Sequence, residues 1–399
     1  MSDELIIRIV TDPEVYADPY PLLRELRETA PVHKLGFADY WVLTRYEDCR
    51  MALRDPRMGN AEPGDEVPTL TAERVRTPQE ERTFLFLNPP DHTRLRSLVS
   101  RAFTPRRVEG LRSAVEEMTA ELLDSLAVSG GGDLIDQLAF PLPANVISEL
   151  VGVPLADRDW LRPLVSDLAG TLEPNQSPED LEQAEASGEK VKAYFDELID
   201  RRRAEPGDDL LSALIAASDG EDRLSQREIG LTLSLIYAAG FETTSNLIGN
   251  MVHTLIRHPD ELALLRADRS LVPGAVDEVL RYQPPVQADA RYTFEDVEIG
   301  GHSIAKASMV LMLLGAANRD PDVIDDPDRF DITRQDTPLL SFGSGIHYCL
   351  GASLARLEGQ VVLSGLLNRF ETWTPLEHDP PWKDRLTLRG LARLPVALS

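Results

Sequence analysis

The sequence predicts a mainly α-helical protein with a small β region, organised as a single domain over residues 1–399. Three observations carry that prediction. Apolar residues recur at helical spacing over 20–29, 91–101, 109–127, 181–203 and 350–368. Strand candidates are few and short, at 40–44, 286–293 and 385–397. No internal repeat or low-complexity linker divides the 399 residues, and a 42% hydrophobic content is ample for a large core.

In chain order, YPLLRELRET at 20–29 is amphipathic, and YWVLT at 40–44 reads as a strand. Residues 59–90 are rich in Pro, Glu and Thr and read as an irregular loop with a short helix. The clearest element lies near the middle. Ser225 followed by Glu228 fits a capping box, and His258–Pro259 marks the far end. At about 1.5 Å per residue this helix runs roughly 45–50 Å. It is apolar around most of its circumference, which calls for burial. Residues 318–345 hold several Pro and Asp without periodicity, a loop long enough to suggest a functional role.

Lys and Arg total 41 against 67 Asp and Glu, a net charge of −26. Such a surface repels nucleic acid and anionic membranes. The N-terminus MSDELIIRIV starts acidic and does not read as a signal peptide. No run approaches the roughly 20 apolar residues of a membrane span, so a soluble, cytoplasmic protein is expected. The two cysteines, Cys49 and Cys349, belong to no CxxC pair. That argues against zinc ribbons, iron–sulfur clusters and covalently attached haem, and a reducing cytoplasm disfavours a disulfide between them.

Cys349 lies in Phe342-Gly343-Ser344-Gly345-Ile346-His347-Tyr348-Cys349-Leu350-Gly351. A thiolate that ligates iron needs shielding from water and backbone N–H donors to tune it. Gly343, Gly345 and Gly351 allow backbone to approach a flat macrocycle, Phe342 can pack on the sulfur, and the helix beginning near Leu350 points its positive end at it. A lone cysteine beside a glycine turn is more often structural; the fully filled FGxGxHxCxG pattern reverses that balance. The segment resembles the haem-binding loop of the cytochrome P-450 superfamily. The resemblance covers nearly the whole chain and is strongest to the soluble bacterial members. It implies the superfamily's triangular-prism fold, a non-covalent haem b with Cys349 as axial ligand, and monooxygenase activity.

Further motifs follow in the superfamily's order. Ala239-Gly240-Phe241-Glu242-Thr243-Thr244 falls in the central helix. Small residues at 239 and 240 would leave a groove for dioxygen, and Glu242 with Thr243 would relay protons for O–O cleavage. Read alone, the stretch is equally a kinked helix with a paired Glu. Glu278 and Arg281 share a helix face. The resemblance makes them a buried pair joined by Arg329 of Pro327-Asp328-Arg329-Phe330, needed for haem retention rather than turnover. It also places His92, Arg96, Arg291 and His347 on the haem propionates.

The resemblance draws the substrate pocket from the 59–87 loop, residues near 165–190, Leu235, Ala238, Val286, Gln287, Ala288, Leu391 and Ala392. These are mostly small or aliphatic, with Gln287 able to hydrogen-bond. A terpenoid, a macrolide-like polyketide or a fatty acyl chain of secondary metabolism would fit. No flavin or iron–sulfur segment is visible, so a separate ferredoxin or flavodoxin with an NAD(P)H-dependent reductase is the expected electron source. A basic island is its expected dock: residues 92–107 contain Arg94, Arg96, Arg101, Arg106 and Arg107 without an acid, and Arg356 follows on the helix after Cys349. A peroxide-driven peroxygenase, or a non-catalytic haem sensor or carrier, are the rival readings. Neither needs the Glu242–Thr243 relay.

Overall fold

A computed structural model of the chain describes residues 2–65, 81–101, 103–173, 176–217 and 224–399. Its organising element is the helix Gln226–Arg257, 32 residues long. Ser225 Oγ accepts from the Glu228 N–H at 3.1 Å, and the Glu228 carboxylate accepts from the Ser225 N–H at 2.7 Å. This is the reciprocal cap that the sequence predicts. His258 closes the other end, and Pro259 opens the next helix, Pro259–Ala267.

The long helix belongs to two hydrophobic cores in turn. Its first half, from Ile229 to Phe241, packs with Val165, Val191, Phe195 and Leu198 of the helices Arg158–Gly170 and Pro178–Ala204. Its second half, from Leu247 to Leu255, packs with Leu126, Val276, Val362 and Leu366 of the helices Arg112–Ser129, Val272–Tyr282 and Ala352–Arg369. Residues 238–244 sit at the changeover.

The β region is small. Strands β1 (Val32–Lys34), β2 (Tyr40–Leu43), β3 (Met58–Gly59), β5 (Ala288–Thr293) and β8 (Met309–Leu313) form one sheet in the order β1-β2-β8-β5-β3. Its β2–β8 pair is parallel, with Tyr40 opposite Met309 and Leu43 opposite Met312. Every residue of β2 is buried. Strands β4 (Gly131–Asp133), β9 (Trp373–Pro375) and β10 (Pro395–Leu398) form a second sheet, and β6 (Val297–Ile299) and β7 (His302–Ile304) a hairpin.

Several expectations change. The helical stretch at 109–127 is two helices, Pro105–Gly110 and Arg112–Ser129. The strand expected over 385–397 is strand only from Pro395. Upstream of it are turns with two isolated bridges, Val286 to Leu388 and Trp382 to Leu391. Gly390 explains part of this: a Cβ there would lie 2.1 Å from Asn246 Oδ1, so the backbone is pressed onto the long helix. Helices Ser2–Thr11, Pro141–Val151 and Arg158–Gly170 and strand β8 lie outside the predicted elements. Of the 59–90 loop, residues 66–80 lie outside the described residues; the rest includes the short turn Phe84–Phe86. Among the described residues no helix is long and apolar enough to cross a membrane.

Candidate active site

The cysteine loop is held by its own backbone. Gly343 N–H donates to the Leu340 carbonyl at 2.8 Å, and Cys349 N–H to the Phe342 carbonyl at 2.9 Å. Gly343 and Gly345 are left-handed, at φ 68° and 71°. At Gly345 a Cβ would also stand 2.4 Å from the Leu53 carbonyl oxygen, so only glycine fits. The N–H groups of Gly351 and Ala352, at the start of the helix Ala352–Arg369, point at the Cys349 sulfur. Burial pushes its thiol up, and those two N–H groups with Arg96 and Arg356 oppose the shift. Cys349 keeps accessible surface, whereas Cys49 is buried in the sheet's core with its thiol pushed well up by desolvation. Only Cys349 is placed to bind a ligand.

Beside it lies a set of groups that calls for anions. The rings of His92 and His347 stand 4.2 Å apart. Both nitrogens of His92 and Nε2 of His347 are buried without a hydrogen-bond partner. Burial first, then Arg96 and Arg291, hold His92 down at about 4. Burial, Arg291, His92 and Arg96 hold His347 at about 3. Two orphaned imidazoles and two guanidiniums suit the two propionates of a haem. Arg291 is fixed by Asp289 at 2.8 Å, and Arg96 donates to the Tyr348 carbonyl, next to the cysteine.

On the long helix, Thr243 is partly exposed, and its hydroxyl donates to the Ala239 carbonyl at 2.8 Å. Ala239 is exposed and Ala238 and Leu235 half-buried. Gly240 departs from the expected groove. A Cβ there would meet Ile147 Cδ1 at 2.7 Å, so this glycine serves the packing of the helix Pro141–Val151. Glu242 is buried and held by two cations that the sequence reading missed, Lys383 at 2.7 Å and Arg385 at 3.1 Å. Arg385 also reaches the Ser166 carbonyl, and Lys383 reaches Asn246 Oδ1. Nearby, buried Glu173 accepts the N–H groups of Leu386, Thr387 and Leu388, clamping the end of the Arg158–Gly170 segment onto this turn. The only sequence signal for the cations was their spacing, two apart in Trp-Lys-Asp-Arg.

Glu278 and Arg281 form a bidentate pair, both bonds 2.7 Å, with side chains 1% and 0% exposed. Their expected third member is corrected. Arg329 is 62% exposed, with Asp331 3.8 Å away. It contributes only its carbonyl, which accepts from Arg281. The guanidinium beside Glu278 is that of Arg334, at 3.4 Å. Phe330 plugs the core, and the turn at Asp331–Thr333 brings the chain back over the pair.

Comparison with known proteins bears on this geometry. A cytochrome P450 family profile matches residues 176–398. Cytochrome P450 107B1 of Saccharopolyspora erythraea is 47% identical over 367 residues, covering 90% of this chain and 89% of that protein. The chain belongs to the cytochrome P450 family. The 6-deoxyerythronolide B hydroxylase of the same organism is 43% identical, with 96% of each chain covered. Among solved structures, Mycobacterium smegmatis CYP164A2 superposes with a TM-score of 0.91 at 38% identity, covering 99% of this chain and all of that one. This cytochrome P450 is therefore a haem monooxygenase, its iron ligated by cysteine thiolate.

The P450 pocket positions divide. Leu235 and Ala238 are half-buried against the core around the first half of the long helix, one or two turns before Thr243. Val286 bridges Leu388, a residue missing from the expected set. Gln287 is corrected. It is 2% exposed, donates to the Pro284 carbonyl and the Tyr20 hydroxyl, and packs against Gly315, where a Cβ would lie 1.9 Å from its Oε1. Ala288 is buried with Tyr20 and Leu313 in the sheet's core. Leu391 is buried in the core around Leu247, and Ala392 is exposed beside Arg393, itself 55% exposed.

The basic island also divides. Arg101, Arg106 and Arg107 are exposed. Arg94 is paired with Glu228, at the capped end of the long helix. Arg356 is corrected as a free docking cation: its Nε donates to Asp277 at 2.7 Å, and its guanidinium lies over the Phe342 ring at 4.6 Å.

Proposed function

We propose that this P450 oxidises a macrolactone or a related polyketide product. Likeness to 6-deoxyerythronolide B hydroxylase over 96% of both chains carries the substrate reading. The polyketide biosynthesis cytochrome P450 PksS of Bacillus subtilis, 36% identical over 97% of this chain, supports it. We also assign the haem thiolate to Cys349, the propionate contacts to His92, Arg96, Arg291 and His347, and place the protein in the cytoplasm as one domain.

When bound, the haem supplies dioxygen activation and oxygen-atom insertion, to which thiolate donation contributes. The chain's own groups prepare the site for it. The Gly351 and Ala352 N–H groups favour negative charge on the sulfur and offset part of the burial that opposes it. The Arg96 and Arg291 guanidiniums would neutralise the propionates, and the uncharged imidazoles of His92 and His347 would donate hydrogen bonds to them. Thr243 spends its own proton on the Ala239 carbonyl, so its oxygen is left to accept. It orients a proton-bearing group rather than giving up its own proton. Glu242, held by Lys383 and Arg385, is the nearest carboxylate along the helix to pass a proton to that position.

Electrons arrive from a ferredoxin or flavodoxin with its NAD(P)H-dependent reductase. The dock is the surface bearing the exposed Arg101, Arg106 and Arg107, to which the cysteine loop adds exposed Ile346 and Tyr348. The Glu242–Thr243 pair supports this dioxygen route over peroxide use. The test is a titration of macrolactones, secosteroids and fatty acids against the ferric protein, followed by turnover with ferredoxin, reductase and NADPH. A Soret shift and hydroxylated product from macrolactones are expected. Response to fatty acids or secosteroids alone would reassign the substrate class.

A further inference from the structure

Arg356 was expected to face a partner, and it faces the cysteine loop instead. Its guanidinium lies 4.6 Å from the centre of the Phe342 ring. Phe342 is the residue whose carbonyl accepts the Cys349 N–H, at 2.9 Å. The same guanidinium hydrogen-bonds Tyr348, next to the cysteine. Its other side is met by Asp277 at 2.7 Å, from the helix Val272–Tyr282. The side chains of the pair are 28% and 41% exposed. An ion pair so exposed adds little stability. Its field at the sulfur is another matter, because dense protein screens a charge far less than water does.

Two cations act on Cys349, Arg96 and Arg356. Arg96 belongs to the propionate set. Arg356 has no such duty, and it carries a counter-charge of its own. We propose that Arg356, trimmed by Asp277, is a positioning residue that sets the reduction potential of the cysteine-ligated haem. It acts through the Phe342–Cys349 loop. A positive charge near the thiolate withdraws electron density from the sulfur and stabilises the ferrous state, which carries one more electron. Asp277 returns part of that electron density. Potentials of metal centres respond to such outer charges and hydrogen bonds. The inference rests on Cys349 being the haem ligand.

The experiment is spectroelectrochemical titration of the haem-loaded protein, substrate-free, in wild type, Arg356→Gln, Arg356→Lys and Asp277→Asn. Each is also read as its reduced carbon monoxide complex, whose red-shifted Soret band reports thiolate ligation independently. Arg356→Gln should lower the reduction equilibrium about tenfold, which is roughly 59 mV for one electron. Asp277→Asn should move it the opposite way, and Arg356→Lys should stay near wild type. A merely structural pair would shift Arg356→Gln and Asp277→Asn in the same direction, or neither, and either result overturns the proposal. Should Arg356→Gln fail to hold haem, Asp277→Asn decides alone: an unchanged or lowered potential overturns it. A wild type without the red-shifted band would instead sink the assignment of Cys349.

Discussion

Arg334 stands 3.4 Å from Glu278, although Arg329 occupies the position that the Pro-x-Arg-Phe pattern singles out. Glu278 therefore has Arg281 on one side, Arg334 on the other, and the Asp331 N–H on the same oxygen that faces Arg334. Removing the carboxylate leaves buried guanidiniums unpaired, at a cost of about 3–5 kcal/mol. Glu278→Ala should yield haem-free or aggregated protein. Arg334→Ala should lower the denaturation midpoint measurably. Arg329→Ala should change stability by no more than about 0.5 kcal/mol, as an exposed substitution does. Equal losses at 329 and 334, measured by denaturant melts, would refute this assignment.

Thr243→Ala should keep haem and still consume NADPH with its redox partners. It should release more of that reducing power as hydrogen peroxide, because the oxygen that orients the proton-bearing group is gone. The measurement is peroxide and product formed per NADPH. Unchanged coupling would remove Thr243 from proton delivery.

His92 gives a pH dependence with a defined sign. Its pKa is depressed from 6.5 to about 4 in the folded chain, burial being the first cause and Arg96 and Arg291 the others. The folded chain thus binds this proton more weakly than the unfolded chain does. Lowering pH through 6.5 favours unfolding, and the loss is complete below about 4. At about 1.4 kcal/mol per decade the loss amounts to roughly 3 kcal/mol. In the haem-free protein, melts between pH 7 and pH 4.5 should show a steeper fall for wild type than for His92→Gln. Parallel curves would contradict the burial argument.

Arg101→Glu combined with Arg106→Glu and Arg107→Glu should slow the first electron transfer from an acidic ferredoxin. Substrate affinity and the carbon monoxide spectrum should be unaffected. The wild-type rate should fall as salt rises, because the Debye length is about 8 Å at physiological ionic strength. Stopped-flow reduction at two ionic strengths checks this. A rate indifferent to salt and to the reversals would place the donor elsewhere.

What could be read from the sequence was what is local. The capping box at Ser225, the glycines around Cys349 and the Glu278–Arg281 spacing each express a rule that spans a few residues. The errors came from what depends on distant chain. Arg334 replaces Arg329 because of a turn after a buried Phe330. Gly240 is explained by Ile147, and Gln287 by Gly315 and Tyr20, partners far away in sequence. Lys383 and Arg385 meet Glu242 across about 140 residues, and no periodicity announces such a meeting. Strand β8 went unread because a run of five apolar residues, buried almost throughout, has no alternation to betray it.

The parallel pairing of β2 with β8 also bears on how the protein is made. Tyr40-Trp41-Val42-Leu43 leaves the ribosome early, while its partner at 309–312 follows 269 residues behind. At about 5–20 residues per second the wait is roughly 15–50 s. Throughout it an apolar strand has one edge unpaired and a ready template for joining another chain. The sheet cannot be completed by the N-terminal part of the chain alone, so nascent protein stalled before Met309 should be the species that chaperones hold and that aggregates under overexpression.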